Sequence, residues 1–220
     1  AAQGNGNIVV IADVSGLSNS RNGKTHQTSG QPGAILLMPG VTFLEPWDIE
    51  DTFNCLNWAI GESRGIVYIR VHSSQISCRL ADGIARNIHW YVASEPLGNH
   101  DATIVASGMT VGSSLEAAKM LETSGIKVRI INVINHKSLD CSFASAIVPN
   151  RPLLTVYNGA ASVLQANTSK VLMESGQGLP TKVSGLGFDF GTTGTLENLT
   201  RHYGLDAVGI ANAVRKVLVG

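Results

Sequence analysis

Ala102-Thr-Ile-Val-Ala106, followed by Ser107-Gly-Met-Thr-Val-Gly112, a segment from Ser113 to Thr123, Gly125, and Val128-Arg-Ile-Ile-Asn-Val133, is the stretch that decides the fold. The first run reads as a strand and the second as a tight loop. The third reads as a helix with Leu115, Ala118, Met120 and Leu121 turned inward, because these apolar positions recur at helical spacing. Gly125 ends that helix, and Val128 to Val133 is the next strand. A strand, loop, helix and strand of this length form a right-handed βαβ crossover, the unit from which parallel sheets are built.

Working outward, the same alternation continues on both sides. Leu153 to Val156 reads as a third strand, followed by a helix from about Ala160 to Glu174 and a short strand over residues 181–186. Helices near 194–201 and 206–218, separated by Gly204, close the chain. Upstream, Ile8 to Ala12 is a continuous apolar run, as expected of a strand covered on both faces. A Gly/Ser/Asn-rich loop spans Ser15 to Gly33, and residues 41–45 (VTFLE) form a short strand ended by Pro46. Asp48 then serves as an N-cap for a helix carrying Ile49, Phe53, Leu56 and Ile60 at helical spacing. Gly65 closes it, and Ile66 to Val71 is another strand.

From Ser73 to about His100 the pattern is polar and poorly periodic and ends in Glu95-Pro-Leu-Gly-Asn99, which reads as a linker. The expected architecture is therefore α/β: two three-layer α/β/α units with mostly parallel sheets, the first incomplete. The expected boundaries are 1–76 for the first unit, 77–100 for the linker and 101–220 for the second unit.

Composition narrows the function classes. Of the 220 residues, 44% are hydrophobic and 15% charged, enough apolar material for a core and too little charge for a disordered chain. Sixteen basic and sixteen acidic residues cancel to a formal net charge of zero, so neither nucleic acid nor an anionic membrane is an expected partner. Cys55, Cys78 and Cys141 are odd in number and lack CxxC spacing, which points to buried free thiols in a reducing compartment rather than disulfides or zinc. No apolar run is long enough to span a bilayer. The chain opens Ala-Ala-Gln-Gly, with no initiator Met, basic stretch or apolar signal core; a cytoplasmic location is the expectation, and residue 1 need not be the first of the gene product.

Three segments carry a more specific resemblance. Asn22-Gly-Lys-Thr-His-Gln27 resembles the DGxTHQ element of the transketolase-like, thiamine-diphosphate-dependent enzymes. Met38-Pro-Gly-Val-Thr-Phe-Leu-Glu-Pro46 and Gly65-Ile-Val-Tyr-Ile-Arg-Val71 are similar to the two strands that follow it in that family. The second half resembles the transketolase C-terminal domain through Asp101-Ala-Thr-Ile-Val-Ala-Ser-Gly108, Ala117-Ala118, the strand from Gly125 to Val133, and Ser138-Leu-Asp140. The resemblance implies that residues 1–76 are the C-terminal part of a pyrimidine-binding domain.

The resemblance also implies thiamine diphosphate and Mg2+ in the complete enzyme, held between a diphosphate-binding domain and a pyrimidine-binding domain of different chains. It implies transfer of a two-carbon ketol unit between sugar phosphates or related carbonyl substrates, the cofactor supplying the carbanion chemistry. The family's activating glutamate belongs upstream of Ile8, and its diphosphate and metal element is not recognisable in this sequence. No catalytic, cofactor-binding or metal-ligating residue is therefore assigned, and the chain alone is expected to bind neither cofactor nor metal. The expected partners are a second copy or a complementary diphosphate-binding subunit, with a small phosphorylated sugar or 2-oxo acid as substrate. A deoxyxylulose-phosphate-synthase-like enzyme, the β-type component of a 2-oxo acid dehydrogenase, and a non-catalytic dimerisation or scaffold module of the same fold stay open as alternatives.

Substrate contacts are expected from His26, Asn22 and Arg70. A neutral imidazole at His26 can donate and accept, or simply hold its turn together. Asn22 stands where the family has an aspartate, and Asn-Gly is also ordinary turn chemistry. Val14 stands where transketolases proper have a histidine, a second departure from their pattern. Arg70, at the end of an apolar strand, suits a phosphate or carboxylate, or a salt bridge to a neighbouring acid. His72 lies on the same strand face. Ser107 to Gly112 sits between strand and helix and could cradle an anion or be purely structural. His136 and Asp140 flank another strand end, Asp140 as a helix cap. No Ser-His-Asp order or paired catalytic carboxylates stand out.

Overall fold

The computed structural model describes residues 6–73 and 78–219. The first unit holds β1 (Ile8–Ala12), a 3-10 turn at Gly16–Ser18, α1 (Gln31–Leu37), β2 (Val41–Leu44), α2 (Ile49–Gly61) and β3 (Ile66–Arg70). The second holds β4 (Trp90–Ser94), β5 (Ala102–Ala106), α3 (Thr110–Glu122), β6 (Val128–Val133), α4 (Cys141–Ser145), β7 (Leu153–Val156), α5 (Ala161–Glu174), β8 (Val183–Leu186), α6 (Leu196–His202) and α7 (Ala207–Val219). The architecture is α/β with two sheets, as expected.

The first sheet has the order β1-β3-β2 and is parallel throughout, with Ile8 and Val41 both opposite Ile66. The second has the order β4-β6-β5-β7-β8. Only its edge strand β4 runs antiparallel, Tyr91 lying opposite Asn132. β5 shows why such a strand lacks polar alternation. Ala102, Ile104 and Ala106 pack with Val111, Leu115, Leu121, Ile210 and Val214 of α3 and α7. Val105, on the other face, packs with Phe143, Val163, Leu164 and Leu172 of α4 and α5. Both faces are covered, so every position is apolar or hydrogen-bonded.

Five expectations are corrected. β1 is not covered on both faces: Ile8, Val9, Val10 and Ile11 are each more than a third exposed. In α2 the periodicity is right, but most of the stripe points the other way. Ile49, Phe53 and Ile60 are 72, 60 and 75% exposed, while Asp51, Cys55 and Ala59 face inward. Met120 of α3 is likewise 39% exposed. The stretch read as a linker contains β4, whose Tyr91 and Ala93 are buried against the second sheet. The helix α1, led by Gln31-Pro32 with Pro at its start, begins inside the stretch read as loop, Ser15 to Gly33, and runs on beyond it. The three cysteines are free, Cys55 and Cys78 buried and Cys141 exposed. Among the described residues, no helix is long and apolar enough to cross a membrane.

The two units share one core. A single apolar cluster runs from Leu17, Leu44, Trp47, Val67 and Ile69 of the first unit to Ile104, Ile130, Ile134 and Val156 of the second. An isolated antiparallel bridge between Leu44 and Asn135 joins the sheets at their carboxyl edges.

Candidate functional site

Parallel α/β sheets place chemistry-bearing side chains just beyond the carboxyl ends of their strands. Here Glu45 follows β2, Arg70 ends β3, Ser107 follows β5, His136 lies shortly after β6, and Tyr157 and Asn158 follow β7. The carboxyl edges of the two sheets meet, so these groups converge in the interior.

Arg70 is 1% exposed. Its Nη1 donates to Glu45 Oε1, its Nη2 donates to the Asn158 carbonyl at 2.9 Å, and its guanidinium carbon lies 5.7 Å from the centre of the Tyr157 ring. Glu45 Oε2 accepts from the Tyr157 hydroxyl at 2.8 Å and lies 3.4 Å from His136 Nε2. His136 stacks on Phe43 with ring centres 4.6 Å apart. Burial alone would raise the Glu45 pKa, but Arg70, His136 and Tyr157 together hold it below the ordinary carboxylate value. Burial and the adjacent Glu45 charge push the Tyr157 phenol well above its usual value. Of the two readings of Arg70, the salt bridge to a neighbouring acid is the arrangement in the structure.

Ser107, His136 and Glu45 lie together but not as a nucleophile, base and orienting acid. Ser107 Oγ donates to the Val133 carbonyl at 2.7 Å, so the Ser107 to His136 contact of 2.9 Å is donated by His136 Nε2. Glu45 is on the same nitrogen and Nδ1 has no partner, whereas a triad needs the acid on the far side of the ring. The loop Ser107 to Gly112 is filled rather than open: a Cβ on Gly108 would sit 2.8 Å from Glu45 Oε1. Asp140 caps α4, accepting from the Ser142 and Phe143 amides at 3.0 and 3.1 Å. The ring of His72, half-buried, lies 2.7 Å from the Trp47 carbonyl, and burial lowers its pKa.

His26 and Asn22 sit elsewhere, together, on the exposed loop that leaves β1. Gly23, with φ of +71°, allows the turn that His26 closes by donating its amide to the Gly23 carbonyl at 3.1 Å. Asn19 joins the two residues: its Nδ2 donates to the His26 carbonyl at 3.3 Å, and its Oδ1 accepts from Asn22 Nδ2 at 2.8 Å. His26 Nδ1 lies 2.9 Å from Thr25 Oγ1, which leaves Nε2 as the outer ring nitrogen. At the two ends of the loop, Val14 and Thr28 hold φ of +51° and +46°. Left-handed backbone at a β-branched residue costs about 1–3 kcal/mol and is retained at sites that surrounding structure over-determines.

Sequence reasoning missed Glu45, Tyr157 and Asn158, and placed His136 at a strand end without joining it to them. The signal was present, since each follows an apolar strand, but only three-dimensional pairing shows that they share one cluster.

The groups that the resemblance implies were tested against these side chains. Among the described residues, no three His, Cys, Asp or Glu side chains form a set that could hold a metal ion. Glu45 and Asp51 are both engaged by arginines, and the loop before α3 is occupied by Glu45. These residues by themselves do not fit a diphosphate and its metal.

A five-stranded, mostly parallel sheet with helices on both faces, joined at its carboxyl edge to a smaller parallel sheet, defines a two-unit α/β protein of the transketolase type. The family model described as "Transketolase, C-terminal domain" matches residues 93–210, and the chain belongs to that family. The chain is 24% identical over 217 residues to a putative transketolase C-terminal section from Methanocaldococcus jannaschii, covering 94% of this chain and 65% of that protein. It is 28% identical over 219 residues to a 1-deoxy-D-xylulose-5-phosphate synthase from Chlorobium luteolum, covering 95% of this chain and 33% of the synthase. Among solved structures it superposes on a split-gene transketolase, described as an inactive beta4 tetramer, with a TM-score of 0.78 at 25% identity, covering 99% of this chain and 68% of the other. The chain thus spans between one third and two thirds of the length of these relatives.

Proposed function

We propose that this chain is part of a thiamine-diphosphate-dependent, transketolase-like enzyme that transfers a two-carbon ketol unit between sugar phosphates or related carbonyl substrates. In this reading the chain contributes the substrate-facing loop with His26 and Asn22, together with the C-terminal unit. A second copy, or a complementary subunit or domain, contributes the diphosphate and metal half. The observation that carries the reading is the His26 loop itself: exposed, held by Asn19, and kept in strained backbone at both ends. Relatives described as a C-terminal section and as a split-gene product favour a divided enzyme. Arg70 enters as an internal tie to Glu45 rather than as a phosphate ligand. The exposed apolar positions on α2 and β1 are the faces available to the partner.

A deoxyxylulose-phosphate-synthase-like reaction is the second reading. It is favoured by the 28% identity to such a synthase and by Val14 and Asn22, which depart from the transketolase pattern.

The test starts from the natural polypeptide, its intact mass measured, purified with whatever chain completes it. Ketol transfer is then assayed with thiamine diphosphate and Mg2+, using a ketose phosphate donor or a 2-oxo acid donor. His26→Ala should lower kcat/KM by roughly 10- to 100-fold, the scale of one or two hydrogen bonds lost in the transition state. Transfer only from the 2-oxo acid selects the second reading. No transfer from either donor overturns the enzyme reading in favour of a scaffold.

A further inference from the structure

The motif residue that the proposed site does not use is Gln27. It follows His26 directly, yet it is 1% exposed while His26 is exposed. Its side-chain amide spans the two units. Nε2 donates to the Thr192 carbonyl at 2.9 Å, in the loop between β8 and α6, and lies 3.5 Å from the Asn19 carbonyl in its own loop. Two N–H groups thus meet two carbonyls, which a carboxylate, having no donor, could not do; Oε1 is buried against Gly191 without a hydrogen-bond partner. Asn19 passes the contact on, because its side chain holds both the His26 carbonyl and Asn22.

The partner loop is shaped to receive this amide. A Cβ on Gly191 would sit 1.4 Å from Gln27 Oε1, so any side chain at 191 displaces Gln27. Further ties flank it. The Gly194 amide donates to the Ser20 carbonyl at 3.1 Å, and Ser29 Oγ donates to the Asp189 carbonyl. A Cβ on Gly23 would sit 2.8 Å from Thr193 Oγ1. The far side of the 187–194 loop is braced in turn, as the Tyr203 hydroxyl donates to the Phe190 carbonyl at 2.9 Å. At the start of the His26 loop, Asn158 repeats the arrangement. Its Oδ1 accepts from the Leu17 amide at 2.9 Å and its Nδ2 donates to the Ser15 carbonyl at 3.1 Å. Ties of this kind are what the strained backbone at Val14 and Thr28 requires, since such conformations persist only where neighbours over-determine them.

We infer that Gln27, seated on Gly191 and the Thr192 carbonyl, is a positioning residue through which the C-terminal unit sets the placement of His26 and Asn22 against substrate. The inference rests on the proposed substrate role of the His26 loop. It gives the C-terminal unit a part in the site without any of its side chains touching substrate.

The experiment uses the assembled enzyme with three variants: Gln27→Ala, Gly191→Ala and His26→Ala. Amide hydrogen exchange is followed over residues 19–29, and kcat and KM are measured separately. The expected result is faster exchange confined to residues 19–29 in Gln27→Ala and Gly191→Ala, together with a fall in kcat of roughly 10- to 100-fold. A misplacement of about 1 Å at a catalytic group has an effect of that size. Combining Gln27→Ala with Gly191→Ala should add little to either single change, because the methyl at 191 fills the space the amide leaves. A residue that is merely structural would lower the melting temperature and leave kcat of the folded fraction unchanged. If His26→Ala impairs turnover while Gln27→Ala and Gly191→Ala do not, or if exchange over 19–29 is unaltered, the positioning role is overturned and the substrate reading survives. If His26→Ala leaves turnover unaffected, the substrate reading fails and takes the positioning role with it.

Discussion

At the scale of single residues, Arg70 and Glu45 decide how the junction between the units is held. Neither can reach water, and each is the other's charge partner, with Tyr157 also on Glu45 and the Asn158 carbonyl also on Arg70. Breaking a buried pair by removing one partner leaves an uncompensated charge and costs about 3–5 kcal/mol. Arg70→Ala and Glu45→Ala should each lower the urea midpoint by an amount in that range. Replacing both by apolar residues of similar volume, Arg70→Met with Glu45→Leu, should cost less than the sum of the single changes. If Arg70→Ala left stability intact and raised KM for phosphorylated substrates alone, the arginine would be a phosphate ligand after all. The sequence allowed both readings of Arg70, because the end of a parallel strand is where ligands and buried partners alike are found. Deciding between them required knowing that β2 lies beside β3 in the sheet and delivers Glu45 to the same point. The Asn22 to Gln27 loop, by contrast, was legible from its residues: Asn-Gly is turn chemistry and the turn is there, with Gly23 at positive φ.

At the scale of elements, α2 shows what periodicity can and cannot give. Its start was readable, since Asp48 accepts from the Asp51 amide at 2.8 Å, as an N-cap should. Its inward face was not, because an apolar stripe says which residues share a side and not what that side meets. The inner face carries Asp51 instead, which accepts from the Tyr91 hydroxyl at 3.0 Å, from Asn132 Nδ2 at 2.9 Å and from Arg86 Nη1 at 3.0 Å. These partners come from β4, from β6 and from the segment before β4, so one carboxylate docks α2 on the second unit. Burial, and next the repulsion of Asp48, push its pKa up to about 6, against the pull of Arg86 and Tyr91. The sign follows from the raised value. The protonated form suits the fold better, so this group's contribution is full below the unfolded pKa of 3.8 and is lost as pH rises through about 6. Asp51→Asn should therefore gain on the wild type by about 2 kcal/mol between pH 4 and pH 8, the larger part of what that shift is worth. The check is the difference in urea-unfolding free energy across that pH range; a difference that does not change with pH would mean that Asp51 stays ionised throughout.

At the scale of the whole molecule, the question is whether two sheets make one folding unit or two. The expected division at residues 76 and 101 treats the chain as two bodies with a linker between them. In the structure the intervening stretch carries β4 and Arg86, and both are built into the junction. The largest apolar cluster crosses it, the Glu45 and Asp51 networks cross it, and the 187–194 loop ties the C-terminal unit to the His26 loop. The first unit also has little to stand on alone, with three strands and β1 exposed along its length. A domain that cannot bury its own sheet draws its stability from its neighbour, and its unfolding then coincides with its neighbour's. The chain should accordingly unfold in one transition, with calorimetric and van't Hoff enthalpies equal. Tyr157→Phe, which removes one hydrogen bond to Glu45, should lower the single midpoint by the equivalent of about 1–3 kcal/mol without splitting it. Differential scanning calorimetry of the two proteins makes the comparison. Two resolved transitions in the wild type would mean that the junction is a contact between independent domains, and the positioning of the His26 loop by the C-terminal unit would then have to survive the melting of its support.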